Sequence, residues 1–179
     1  NFVYASTQAN DLSILGGYST DFSSRDVDAS NTILDGDASN GVIVLMATTV
    51  VSDFTIDGLT IQNGSTSGLY GKGGGIRVES QGQISLTNNI LINNTSYAGS
   101  GAYIEGDVTF SNNVTFSNNT VSSNTATGGT VTINDGNATI TNNIITNNSA
   151  QYIGGIDVDG HGGLDAVITN NVISSNDGR

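Results

Sequence analysis

The sequence predicts an all-β protein wound as a parallel β-solenoid, and three observations predict it. A block of the form φ-x-N-N-x-φ-x-x-N, where φ is apolar, recurs along the chain. A segment that begins with glycine and alternates apolar with polar residues precedes most copies. No stretch combines the apolar spacing and the capping residues of an amphipathic helix.

The asparagine block sets the repeat length. Its copies begin at residues 56, 86, 116, 140 and 168, which gives steps of 30, 30, 24 and 28 residues. In the first copy, Asp57-Gly58 stands in place of the asparagine pair. Repeats of this length, with no helical segment, are typical of solenoid coils. We therefore expect about five to six coils of 24–30 residues, each with three short strands.

The glycine-led segments supply the first strand of each coil, at 41–44, 75–78, 101–104, 130–133 and 155–158. A second strand ends where the block begins, and a third follows the asparagine pair. No two-residue hairpin joins them, so the pairing must run between coils. We predict one domain over residues 1–179, with a partial coil at 1–40 and regular coils at 41–176.

The recurring asparagines are expected to hold the corners of the coils. A sharp turn between strands needs a residue at positive φ, and asparagine is the best substitute for glycine there. Stacked coils bring equivalent side chains within about 4.8 Å, where amides can bond in a ladder. The predicted ladder columns are Asn88, Asn118, Asn142, Asn170 and Asn94, Asn124, Asn148, Asn176.

The ends of such a rod are open strand edges, which solenoids normally cap. We find no amphipathic cap helix near either end of the sequence. The chain is therefore expected to be a segment of a longer protein or a subunit that associates end to end.

Charge and composition exclude several classes of function. Four Lys and Arg face 16 Asp and Glu, so the net charge is -12. This charge repels phosphates and argues against nucleic-acid binding. The chain has no Cys, which excludes disulfides and thiolate metal sites, and no apolar run long enough for a transmembrane segment.

The sequence offers little for catalysis, and we expect no catalytic residue. A lyase of this architecture would need a basic residue as proton acceptor, and only Arg25, Lys72, Arg77 and the terminal Arg179 are available. His161 lies in a Gly-His-Gly segment without the paired aspartates that hydrolysis would need, and is expected to be solvated.

An acidic column is the remaining candidate for a site. Aligned glycine-led strands place Glu79, Glu105, Asn134 and Asp159 in one file, with Asp107, Asp135 and Asp157 nearby. Stacked carboxylates repel, and Ca²⁺ would relieve the repulsion, so Glu79, Glu105, Asp135 and Asp159 are candidate weak Ca²⁺ ligands. The alternative is a solvated acidic stripe that keeps the rod soluble. No other cofactor is expected. The glycine- and serine-rich insertion at 64–74, with Tyr70 and Lys72, is a candidate contact for a ligand or partner.

Several motifs resemble the right-handed parallel β-helix region of bacterial surface proteins. The segments "DLSILGGYSTDFSSRD", "NTILDGD" and "FTIDGLTIQNG", followed by "GGGI", are most similar to those with a choice-of-anchor Q domain. Phe110-Ser-Asn-Asn113, Phe116-Ser-Asn-Asn119 and Gly74-Gly75-Ile76 resemble the F-x-x-N and G-G-A-[ILV] motifs of chlamydial polymorphic membrane proteins, although the alanine is missing. The resemblance implies a right-handed, single-stranded parallel β-helix, export to the cell surface or beyond, and adhesive or structural work.

We therefore expect a non-enzymatic extracellular β-solenoid, secreted as a surface-protein passenger, an adhesin segment or a filament subunit. Its partners would be a cell-surface ligand or glycan, or further copies of itself. The alternative is a carbohydrate-active β-helix, either a degenerate polysaccharide lyase or hydrolase or a glycan-binding module.

Overall fold

A computed structural model describes residues 1–68, 71–106, 113–160 and 165–179. Their strands form three parallel sheets of six strands and one parallel sheet of three. A short 3₁₀ segment, Ala29–Asn31, also occurs, and the preceding residue Asp28 accepts a hydrogen bond from the backbone N–H of Ser30. The protein is an all-β parallel β-solenoid, as the sequence predicts.

Each large sheet takes one strand from every turn of the chain. The first sheet contains β1 (Phe2–Ala5), β4 (Ile43–Ala47), β7 (Ile76–Ser80), β11 (Ala102–Glu105), β15 (Gly129–Asn134) and β19 (Ile153–Asp159). The second contains β2 (Leu12–Leu15), β5 (Phe54–Asp57), β8 (Ile84–Thr87), β12 (Asn113–Ser117), β16 (Asn137–Thr141) and β20 (Ala166–Thr169). The third contains β3 (Ile33–Asp35), β6 (Thr60–Gln62), β9 (Ile90–Ile92), β13 (Thr120–Ser122), β17 (Ile144–Thr146) and β21 (Val172–Ser174). The fourth contains β10 (Thr95–Ser96), β14 (Thr125–Ala126) and β18 (Ser149–Ala150).

The register of the second sheet matches the spacing of the asparagine blocks. The five block starts, Ile56, Leu86, Phe116, Ile140 and Ile168, are direct neighbours from strand to strand. The unequal steps are taken up between strands, while the pairing itself stays in register. The repeat read from the sequence is therefore the structural repeat.

The coil count differs slightly from expectation. Four coils carry the complete repeat with both inner asparagines, instead of five to six. Residues 2–62 add two further strands to each large sheet, with longer and less regular connections. The segment expected to form only a partial coil thus contributes β1, β2 and β3, which pair with β4, β5 and β6.

The core consists of columns of apolar side chains that point into the coils. One column runs through Ile56, Leu86, Phe116 and Ile140, and another through Ile61, Leu91, Val121 and Ile145, all at most 1% exposed. Burying such a side chain contributes roughly 1.5–3 kcal/mol, and each is buried mainly by the coil above and the coil below. Neighbouring coils therefore stabilise one another.

The same columns become exposed at the last coil. Ile168 and Ile173 continue the two core columns, yet they are 49% and 48% exposed because no further coil covers them. At the other end, Phe2 and Ile33 are 44% and 56% exposed. In the described part of the chain, no helix reaches the length and apolarity that a membrane span requires.

Candidate functional site

The corners between the second and third sheets are made by the first asparagine of each pair. Asn88, Asn118, Asn142 and Asn170 have φ between 55° and 59°. Gly58 takes the equivalent place in the preceding coil, with φ of 74°. Asparagine and glycine tolerate this left-handed conformation better than other residues, which explains why glycine occupies this corner in one coil and asparagine in the four that follow.

The amide ladder at this corner lies one residue further along than predicted. It runs through Asn89, Asn119, Asn143 and Asn171, not through the column that begins at Asn88. The amide oxygens of Asn119, Asn143 and Asn171 each accept from the backbone N–H and the side-chain Nδ2 of the preceding coil's asparagine, at 2.8–3.2 Å. The oxygen of Asn89 accepts from the backbone N–H of Leu59 at 3.1 Å. The physical reason is that the residue at positive φ turns the chain, and the next residue then points inward.

The second ladder runs through Asn94, Asn124, Asn148 and Asn176, the residues assigned to it from the sequence. Each Nδ2 also donates to a backbone carbonyl one coil back, as Asn94 does to Ile61 at 3.0 Å. The residue before each ladder position again turns the chain at positive φ, with asparagine or serine at these places. Both asparagine columns therefore have a structural role, because their side-chain amides form hydrogen bonds between neighbouring coils.

The outer face of the first sheet concentrates the charged side chains. The register places Glu79, Glu105, Asn134 and Asp159 in one row across β7, β11, β15 and β19, as the alignment of the glycine-led strands predicts. A parallel row two residues earlier contains Arg77, Tyr103, Thr132 and Asp157. Two residues of separation put both rows on the same face of the sheet.

Lys72 joins these rows from the insertion at 64–74. A parallel bridge to Ala98 holds its backbone beside the sheet. Its Nζ lies 2.9 Å from Glu105 Oε2 and 4.0 Å from Glu79 Oε1, and 4.4 Å from the centre of the Tyr103 ring. Arg77 Nη2 lies 2.6 Å from the same Glu79 oxygen. The acidic column is therefore partly neutralised by two of the chain's own cations.

Tyr103 and Asn134 connect this ion cluster by hydrogen bonds. The Tyr103 hydroxyl donates to Glu105 Oε2 at 2.6 Å and accepts from Asn134 Nδ2 at 2.9 Å. Burial alone would raise the pKa of Glu105, but the Tyr103 hydrogen bond and the Lys72 ion pair hold it below its usual value. The pKa of Lys72 is raised, because its bonds to Tyr103 and Glu105 outweigh its desolvation. Lys72 is thus fixed in its charged form.

A groove of about 450 Å³ continues from this cluster along the sheet. Tyr103, Thr132 and Asp157 line it, and so does Tyr97, which is 36% exposed. Asn134 and Asp159, from the row that contains Glu79, line it as well. Burial and the nearby Asp159 raise the pKa of Asp157. One end of the groove thus contains Lys72, which is paired with Glu105, and the other end contains the acidic Asp157 and Asp159.

The Ca²⁺ hypothesis stays a prediction, and the structure shows what surrounds the candidate ligands. In residues 1–68, 71–106, 113–160 and 165–179, no three His, Cys, Asp or Glu side chains come together in a group that could hold a metal ion. Glu79 and Glu105 face cations, and Asp135 occupies a corner with φ of 54°. Asp107, Tyr70 and His161 lie outside the described residues.

Arg25, another of the four candidate bases, has a structural role. Its guanidinium forms an ion pair with Asp57 and donates to the backbone oxygens of Gly16 and Asp57. The sequence analysis placed Asn134 in this row but did not identify Tyr97 or Tyr103. Tyr103 could have been found from its place in the aligned strands, whereas Tyr97 lies on a connection whose path the sequence does not define.

The comparisons with known proteins agree with the fold. The family model described as "Right handed beta helix region" matches residues 8–179. The chain belongs to this family, and its solenoid is therefore right-handed. Neither a curated protein nor a solved structure shows significant similarity to the chain.

Proposed function

We propose that this protein is a non-enzymatic, extracellular β-solenoid whose work is structural or adhesive. The observation that carries the proposal is the pair of buried asparagine ladders, which run through the regular coils without interruption. Together with three parallel sheets they give a stiff rod whose strands stack in register coil after coil. A repetitive, rigid face suits a scaffold or an adhesive surface.

The alternative, a carbohydrate-cleaving β-helix, has weaker support from the charged groups. Proton abstraction next to a sugar carboxylate requires a basic group that is free to accept a proton. Lys72 has a raised pKa and an ion pair to Glu105, and Arg77 is paired with Glu79. Both cations stabilise the acidic column, which favours the non-enzymatic assignment.

The finer assignment is a passenger of the choice-of-anchor Q or polymorphic membrane protein type, as the sequence motifs suggest. We include in the proposal that a second copy of the chain associates with the open end of the last coil. The exposed core positions Ile168 and Ile173 support this, because equivalent residues elsewhere in their columns are fully buried. Light scattering of the purified chain, with Ile173→Asp as the variant, tests association between copies.

Two experiments test the main proposal. The first incubates the protein with a panel of neutral, acidic and amine-bearing polysaccharides and measures new reducing ends and unsaturated products. We expect none, and sustained product formation above a heat-inactivated control would overturn the non-enzymatic assignment. The second treats intact producing cells with a protease and follows the protein with an antibody. We expect degradation without lysis, and full protection until lysis would contradict an extracellular location.

A further inference from the structure

The groove on the outer face of the first sheet differs from the rest of the repetitive surface. Tyr97 lines it with 36% of its surface exposed, and Gly128 and Gly129, which carry no side chains, line it as well. An exposed aromatic ring beside two glycines offers an apolar surface for a planar or ring-shaped ligand. The volume of about 450 Å³ lies in the range of small-molecule pockets.

The acidic end of the groove sets the charge of a ligand. Asp157 and Asp159 extend from the same strand, two residues apart and on the same face. No ion pair to Asp157 exists within the described part of the chain. Burial, and then the nearby charge of Asp159, raise the pKa of Asp157. A cationic group placed beside Asp157 would favour its charged form.

The other end of the groove disfavours an anionic ligand. Lys72 is already bound to Glu105 and Glu79, so it is not available as a counter-charge. The net charge of -12 also repels polyanions before they reach the surface. The Tyr103 hydroxyl is engaged by Glu105 and by Asn134 Nδ2, so Asn134 Oδ1 is the uncharged acceptor that remains between the two ends. An acceptor of this kind fits a hydroxyl-bearing ligand.

We propose that this groove binds an amine-bearing saccharide, with its ammonium group against Asp157 and a sugar ring against Tyr97. A lysine-rich peptide would offer the same ammonium group, but it lacks the hydroxyl-bearing ring that Tyr97 and Asn134 accommodate. The inference rests on the proposed adhesive function, for which it supplies a ligand class.

Two oligosaccharides that differ only in acetylation test the proposal. The purified chain is titrated calorimetrically with a glucosamine tetramer and, separately, with an N-acetylglucosamine tetramer. We expect binding of the glucosamine tetramer to be at least tenfold tighter. Asp157→Asn should weaken it by roughly 10- to 100-fold, the range for loss of a charge-assisted hydrogen bond. Tyr97→Ala should weaken both oligomers.

Asp26→Asn is the matched control, because it removes one exposed carboxylate from the connection between β2 and β3. It should leave the affinity within about twofold of the parent chain, since long-range effects of one exposed charge are screened by salt. Thermal melting of each variant verifies folding. Asp157→Asn should melt no lower than the parent, because it removes a repulsive charge.

Several outcomes would overturn the inference. Equal affinity for the two tetramers, no binding of either, or equal losses in Asp157→Asn and Asp26→Asn would each do so. Tighter binding of a tetralysine peptide than of the glucosamine tetramer would replace the saccharide by a protein ligand. Product analysis of the same samples separates the two proposals: cleavage refutes the non-enzymatic function, whereas absence of binding without cleavage refutes only the ligand.

Discussion

Replacing Asn119 by alanine should destabilise the protein far more than replacing its neighbour Asn118. The Asn119 side chain is 1% exposed and takes part in four hydrogen bonds. Its oxygen accepts from the backbone N–H and the Nδ2 of Asn89, at 2.9 and 3.2 Å. Its Nδ2 donates to the Leu86 carbonyl at 2.9 Å and to Asn143 Oδ1 at 3.1 Å. Alanine removes all four.

The magnitude follows from the groups left without these partners. Asn89 Nδ2 keeps its bond to the Ile56 carbonyl, and Asn143 Oδ1 keeps the backbone N–H of residue 119. The Asn89 N–H and the Leu86 oxygen lose their bonds to this side chain inside the wall. A buried polar group without a partner costs about 1–3 kcal/mol, so we expect a loss of roughly 2–6 kcal/mol in the free energy of unfolding.

Asn118 supplies the matched control one position away. It is exposed and has φ of 55°. Asn118→Ala should cost about 1–2 kcal/mol, because alanine fits the left-handed region less well. Asn118→Gly should be nearly neutral, because glycine adopts this conformation freely.

Urea unfolding at neutral pH, followed by circular dichroism, measures these differences as shifts in the midpoint at constant slope. Thermal melting gives a second measure: a loss of 4 kcal/mol corresponds to a drop of roughly 8–16 °C for a chain of this size. The reasoning fails if Asn118→Ala costs as much as Asn119→Ala, or if Asn119→Ala costs less than about 1 kcal/mol.

The remaining predictions concern close packing, acid stability and metal. Gly64→Ala should destabilise the protein strongly, because a Cβ there would overlap the carbonyl oxygen of Gly74. Gly68 has no atom within 4 Å of such a Cβ, so Gly68→Ala should cost only the roughly 1–2 kcal/mol of its positive φ. Thermal melting of the two variants tests this difference, and equal losses would contradict it. Burial opposes ionisation of Asp57, but hydrogen bonds from Thr87 and Arg25 lower the pKa of its carboxyl group. The contribution of Asp57 to stability is therefore complete above the unfolded pKa of about 3.9, and it is lost as the pH falls through the lower folded pKa. Asp57→Asn should therefore reduce stability at pH 7 and flatten its decline in acid, and an unchanged pH profile would refute this role. EDTA should leave the melting midpoint unchanged, since Lys72 and Arg77 already offset the acidic column; a fall of several degrees, reversed by Ca²⁺, would establish a metal site.

The repeat register was predictable because the asparagine blocks recur at the pairing positions themselves. The five block starts stack as the spacing required, even where the step shortens from 30 to 24 residues. The loss of six residues falls between strands, so it changes a connection and leaves the pairing intact. The acidic row from Glu79 to Asp159 was predictable for the same reason.

The inward direction of one ladder was not predictable from asparagine spacing alone. Both residues of each pair recur equally, and the assumption that the corner residue also builds the ladder placed it one position early. The first copy of the block, which lacks the asparagine pair, contained the discriminating signal: Leu59 aligns with Asn89 and is 1% exposed. An apolar residue in that place indicates an inward side chain. The Lys72 contacts were also not predictable, because they depend on the path of an insertion.

The most direct test of the account is hydrogen exchange at the corners, measured by NMR on the uniformly labelled protein. Turn amides normally exchange quickly, but the backbone N–H groups of Asn89, Asn94, Asn119 and Asn124 donate to buried amide oxygens of the next coil. We predict that these four amides exchange only through global unfolding, as slowly as amides of the central strands. Exchange at the rate of exposed turns would contradict the buried asparagine ladders.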